Sequence, residues 1–153
     1  MKPAPKGWPR ISASIYYRDA AKMIDWLCRA FAFEVLIKVE GEDGSIKHSE
    51  LTFGDGLLMV GSESDRFGAK QRSPLSLNGT TQGLMVFVDD VDAHCARARS
   101  VGARVTNEPE VHDYGEDYWT DKSYAALDPE GHLWCLRSAF GNRKRRNRRS
   151  DGG

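Results

Sequence analysis

Tyr17-Arg18-Asp19 closes a strand-like run and opens a helical one that ends near Phe31-Ala32-Phe33. About seventy residues later Val88-Asp89-Asp90 does the same, and its helical stretch ends at Val101-Gly102-Ala103. After each helix the same order follows: strand, turn, strand, turn, strand. Such a period in a chain of 153 residues predicts one domain built from two copies of a β-α-β-β-β module. A duplication leaves a seam, and seams are where small-molecule sites tend to form.

Working outward from these stretches, Ile11, Ala13, Ile15 and Tyr17 alternate with Ser12, Ser14 and Tyr16 at strand period. Asp19 is an N-cap, and Ala20, Ile24, Leu27, Cys28 and Phe31 recur at helical spacing behind it. Val35 to Val39, His48 to Phe53 and Leu57 to Val60 read as strands, separated by Glu42-Asp43-Gly44 and Gly54-Asp55-Gly56. In the second copy Gly83 to Val88 is strand-like and Asp90 caps a helix carrying Val91, Cys95, Ala98 and Val101. Gly102 terminates that helix. Val105 lies in a short strand, Ser123 to Leu127 in another and Leu133 to Arg137 in the last. Asp128-Pro129-Glu130-Gly131 reads as a type I turn before that closing strand.

The fold class is therefore α+β, over residues 10–139. Module one spans 10–63, a polar linker 62–82, and module two 83–139. Residues 140–153 form a basic tail expected to be disordered. Arg143 to Arg149 holds six of the 22 basic residues, which leaves 16 basic against 21 acidic over residues 1–142, a formal charge of −5. The tail reads as solvated charge, because no aromatic side chain is interleaved for base stacking. Nucleic-acid attachment is conceivable through this tail alone.

No apolar stretch nears the roughly 20 residues of a membrane span, and Met1 to Lys6 has no apolar run behind it as a secretory signal would. Cys28, Cys95 and Cys135 are odd in number, far apart and without CxxC spacing, which fits a reducing cytoplasm.

Tyr17-Arg18-Asp19, Val88-Asp89-Asp90-Val91-Asp92 and Asp128-Pro129-Glu130-Gly131-His132, in this order and spacing, resemble the vicinal oxygen chelate superfamily. That superfamily includes glyoxalase I, bleomycin-resistance proteins and extradiol dioxygenases. His48-Ser49-Glu50-Leu51 with Gly131-His132-Leu133-Trp134 looks most like its PhnB-like bacterial branch. The resemblance implies tandem modules forming curled mixed sheets around a cavity, helices on the outside, and paired subunits, here a homodimer. It also implies a divalent metal held by four strands, commonly through His or Gln, Glu, His and Glu. The matching positions here are Ser12, Met59, Gly83 and Cys135. They do not supply the nitrogen and carboxylate donors such a metal requires, and Gly83 has no side chain. No metal and no other cofactor is expected.

Strand parity puts Ser12, Ser14 and Tyr16 on the cavity face, with Gly83, Met85 and Phe87 their counterparts. Leu133, Cys135 and Arg137 share that face, and Trp134 and Leu136 turn toward the helices. His48, Glu50 and Thr52 oppose Leu51 and Phe53, so they too face the cavity, and Met59 is added by alignment. This mixture suits a small, partly apolar organic ligand bearing a polar group.

His48 and Glu50 read either as an acid–base pair or as a structural hydrogen bond. Cys135 reads as packing or, beside Arg137, as a nucleophile. His132 orients its turn. His112 and Asp113 fall in a polar loop with Tyr114 and Gly115, where Tyr118 and Trp119 are either lid aromatics or ordinary loop residues. Metal-independent binding of a small molecule is the expected function. A lyase, isomerase or dioxygenase with a displaced metal site drawn from His48, Glu50, His132 and Cys135 is the alternative.

Overall fold

Asp19 and Asp90 cap the two long helices as their spacing predicts. The Asp19 carboxylate accepts from the Lys22 amide at 3.1 Å and that of Asp90 from the Ala93 amide at 3.0 Å. The helices are α1 (Ala20–Phe31) and α3 (Val91–Ser100). α1 ends where Ala32 turns left-handed, and α3 where Gly102 does, at φ 98°. A computed structural model describes residues 1–116 and 118–140. The tail from Arg143 to Arg149 lies outside the described residues, together with both readings of it.

The first module contributes β1 (Ala13–Tyr17), β2 (Glu34–Glu40), β3 (Ile46–Phe53) and β4 (Gly56–Ser62). The second contributes β5 (Gly83–Phe87), β6 (Arg104–Asp113), β7 (Thr120–Leu127) and β8 (Leu133–Phe140). Two four-stranded mixed sheets result, ordered β1-β4-β3-β2 and β5-β8-β7-β6. In each the first strand pairs parallel with the last and the other ladders are antiparallel. The sheets curl without closing.

Alternation decides what is buried. Ile15, Tyr17, Leu51 and Val60 from one sheet, and Tyr124, Ala126, Trp134 and Leu136 from the other, share one core with α1 and α3. Trp134 joins the modules, its ring 5.0 Å from that of Phe31 and 5.8 Å from that of Phe33.

A buried polar clamp accompanies this packing at the turn before β8. Asp128 Oδ1 accepts from the amides of Glu130, Gly131 and His132 at 2.9–3.1 Å. Its Oδ2 accepts from Tyr17 Oη at 2.6 Å and Trp134 Nε1 at 3.0 Å. Glu130 accepts from the amides of Arg18 and Asp19 and from Ser73 Oγ. His132 Nε2 donates to the Tyr16 carbonyl at 2.9 Å. The turn of module two is thereby tied to the start of α1 in module one. Burial, and then the charge of Asp128, push the Tyr17 hydroxyl well above its ordinary pKa.

Three segments differ from the sequence reading. β6 is ten residues long rather than a short strand at Val105, and it carries Pro109. It can do so because it is an edge strand whose register shifts between Asn107 and Glu110, where no ladder amide is needed. His112 and Asp113 accordingly lie in β6, paired with Asp121 and Thr120, and not in a loop. Between β4 and β5 the polar stretch holds a 3₁₀ turn, Arg66–Gly68, and the short helix α2 (Pro74–Leu77) capped by Ser73.

Candidate functional site

In the first sheet, register sets Ser14 beside Met59 and Met59 beside Glu50. Tyr16 lies beside Gly61, over which its ring sits. Ser14 Oγ donates to Tyr16 Oη at 3.1 Å, and His48 Nε2 is 3.0 Å from Glu50 Oε1. Glu50 is buried and His48 half-buried. Five of the expected residues thus share one face as hydroxyls, a thioether and an imidazole–carboxylate pair. That pair has the contact an acid–base couple needs. Ser12 precedes β1, its Oγ buried and without a hydrogen-bond partner among the described residues.

In the second sheet, Met85 neighbours Cys135 and Phe87 neighbours Arg137. Met85 is 51% exposed and Phe87 47%, whereas Val88 is buried and Val86 packs against the core. The two faces therefore follow the parity expected of them. Arg137 Nη2 donates to Cys135 Sγ at 3.2 Å, and Nη1 to Asp121 Oδ2 at 3.1 Å. The hydrogen bond to Cys135, helped by the charge of Asp121, pushes the guanidinium pKa up. Asp121 is wholly buried, yet its Oδ1 has no partner among the described residues, nor does Arg137 Nε. Beyond Phe87 the rings of Trp119, Tyr118, Tyr114 and His112 follow one another at centroid spacings of 5.5–6.2 Å.

The expected residues form two groups on different sheets. A groove of about 580 Å³ runs along the seam between β5 and the β3–β4 turn, lined by Met85, Phe87, Phe33, Phe53 and Trp134 among others. A smaller pocket of about 200 Å³ places Ser14 and Tyr16 against Gln71, Arg72, Thr81 and His132. Sequence reasoning missed this contribution of residues 70–82, because a polar linker carries no periodicity to place it. It also missed Asp121, having begun the strand at Ser123; extending the same parity by two residues would have found it.

The four positions the resemblance assigned to a metal hold a hydroxyl, a thioether, no side chain and a thiol, a donor set that does not fit a hard or borderline ion. The displaced set does not converge either. His132 is committed to the Tyr16 carbonyl and lies edge-on to Tyr17. Among the described residues no three His, Cys, Asp or Glu side chains are grouped to hold an ion. No helix there is long and apolar enough to cross a membrane.

The model of the Glyoxalase/Bleomycin resistance protein/Dioxygenase superfamily matches residues 11–136. An uncharacterized protein of Mycobacterium bovis is 33% identical over 129 residues, covering 84% of this chain and 82% of that one. Among solved structures, TioX from Micromonospora sp. ML1 superposes with a TM-score of 0.68 at 26% identity, covering 87% of this chain and all of that one. A glyoxalase I mutant from Zea mays shares the fold at TM-score 0.62 and 21% identity, over 82% of this chain and 43% of that one.

Proposed function

Because the chain belongs to the Glyoxalase/Bleomycin resistance protein/Dioxygenase superfamily, we propose that it binds a small organic molecule without a metal, by sequestration in the manner of a bleomycin-resistance protein. One observation carries the reading. On the second sheet the exposed apolar side chains of Met85 and Phe87 stand beside Arg137, held in place by Asp121, and on the first sheet a His48–Glu50 pair shares a face with Ser14, Tyr16 and Met59. An apolar wall with a few fixed polar groups is how proteins grip a small ligand and orient it. The donor set at the four family positions supports metal independence, and the PhnB-like placement is part of the same reading.

We place the working protein as a homodimer in the cytoplasm. Support for pairing comes from β2, an edge strand on which Val35, Leu36, Ile37 and Val39 are all exposed; such an apolar edge invites a cover. The free thiols of Cys28, Cys95 and Cys135 suit a reducing compartment. The tail from Arg143 to Arg149 is the one segment we would test against nucleic acid.

Native mass spectrometry of freshly purified protein tests these points together. The expected result is a dimer without stoichiometric metal, from cells grown with added zinc, nickel, iron and manganese, carrying or accepting a small organic molecule. One tightly held ion per chain would overturn the reading and favour a lyase, isomerase or dioxygenase.

A further inference from the structure

We infer that Cys135 captures soft electrophiles of the α,β-unsaturated carbonyl class, with Arg137 receiving the negative charge that develops on the carbonyl oxygen. This rests on the small-molecule-binding reading and assigns a chemical class to the same face.

The three cysteines make the case by contrast. Cys95 is buried in the core, and burial pushes its thiol pKa up. Cys28 is half-buried on α1, where burial and then the carboxylates of Asp25 and Glu34 push its thiol up. Cys135 is half-buried on the concave face, between Met85 and Ala125 in the ladder, with a guanidinium N–H on its sulfur at 3.2 Å. That guanidinium does not swing freely, because Asp121 anchors it from a position with no solvent exposure.

A second observation points to a ligand. Asp121 Oδ1 and Arg137 Nε are buried polar atoms without partners among the described residues. An unsatisfied buried polar group costs about 1–3 kcal/mol, so a polar group of a ligand, or an ordered water, that reached these atoms would be stabilised there. Beside them Phe87 offers an exposed apolar ring. The site therefore combines a half-buried cysteine on the concave face, a cation anchored against its sulfur, unpaired polar atoms and an exposed apolar ring.

The chemistry needs no further reagent. Sulfur forms a bond to the β-carbon, the carbon–carbon π pair becomes the bond between the α-carbon and the carbonyl carbon, and the carbonyl π pair moves onto oxygen. Arg137 stabilises that enolate, as a preorganised cation stabilises any developing oxyanion. The thiol gives its proton to water before sulfur attacks, and water returns a proton to the α-carbon, so the net change is addition of S–H across the double bond.

N-phenylmaleimide, a Michael acceptor with an aromatic ring, is the probe, applied to the full chain and read by intact and peptide mass. Cys135 should be labelled about tenfold faster than Cys28, and Arg137→Gln should slow Cys135 about tenfold while leaving Cys28 unchanged. Unchanged Cys28 labelling, with Cys95 still protected, reports an intact fold. Should Arg137→Gln expose Cys95, Arg137→Lys takes its place, with a smaller slowing of Cys135 expected. Equal labelling of Cys28 and Cys135, or a Cys135 rate indifferent to both Arg137 variants, overturns the inference.

The concentration dependence separates this inference from the reading beneath it. A rate that saturates with reagent supports binding before reaction. A strictly linear rate that still depends on Arg137 counts against the binding reading and leaves the thiol assignment standing. Saturable, reversible binding of N-phenylsuccinimide, the unreactive analogue, with Cys135 labelled no faster than Cys28, does the reverse.

Discussion

Two buried aspartates, Asp128 and Asp121, lie on neighbouring strands or turns of the same module and are treated differently by the fold. Asp128, 4% exposed, accepts five hydrogen bonds from three amides, a phenol and an indole. Asp121, wholly buried, accepts one from Arg137 and keeps Oδ1 without a partner among the described residues. The first has its hydrogen-bonding capacity used up in joining the modules. The second holds a cation on the concave face with capacity to spare. Burial alone does not distinguish a structural carboxylate from one available for binding; the tally of satisfied lone pairs does.

The comparison breaks most readily at Asp128. Asp128→Ala should destabilise the protein by about 3–5 kcal/mol in denaturant melts, because Tyr17 Oη and Trp134 Nε1 lose their acceptor inside the core. A loss below about 1 kcal/mol would show that the turn is not a clamp.

The two faces of β1 come next. Ile15→Ala should cost about 3 kcal/mol, because Ile15 is fully packed. Tyr16→Ala should cost less, since its ring lies half-exposed over Gly61, but should weaken retention of any ligand. If Tyr16→Ala proves the more damaging variant and leaves ligand binding intact, the faces have been assigned the wrong way round.

Asp121→Asn should cost only about 1 kcal/mol, since one charge-assisted bond is weakened and no core donor is stranded. Its mark should appear in ligand binding or thiol labelling. A loss matching that of Asp128→Ala would remove the distinction between the two aspartates.

The smallest effects are in pH dependence. Burial holds His94, stacked on Phe31 and hydrogen-bonded to Tyr124 Oη, below its ordinary value of 6.5. Below that pH the unfolded chain takes up a proton that the folded chain resists, so stability should fall as pH drops through 6.5. His94→Gln should flatten this acid limb. Tyr17 acts at the other end. Its folded pKa is raised above 10, so the unfolded chain loses a proton first and stability should fall as pH rises past that value. Tyr17→Phe should shrink that alkaline slope, leaving the part due to Tyr124, whose hydroxyl burial also pushes up, measured by melts across the pH range.

Much of this molecule was legible in its residues. The N-caps at Asp19 and Asp90, the strand parity around Tyr16, Phe87 and Cys135, and the turn at Asp128-Pro129-Glu130-Gly131 are local matters, set by capping chemistry and by a side-chain period of two. What was missed was less local. Pro109 hid most of β6, because whether a strand tolerates proline depends on whether it lies at an edge. His132 could be read as orienting its turn, but its bond to the Tyr16 carbonyl crosses between modules 116 positions apart.

By itself, then, the sequence determined the duplicated β-α-β-β-β order, the extents of α1 and α3, and which side of β1, β3, β5 and β8 faces the core. Alternation and capping depend on neighbours within a few residues, which any reader of the chain can see. Only the tertiary structure decided that Asp128 and Glu130 join the modules, that Asp121 holds Arg137 against Cys135, and that residues 70–82 form a wall beside Tyr16. Those pairings join residues from separate strands, turns and modules. Their energy lies in the satisfaction of buried polar groups, and that can be counted only when every partner is in place.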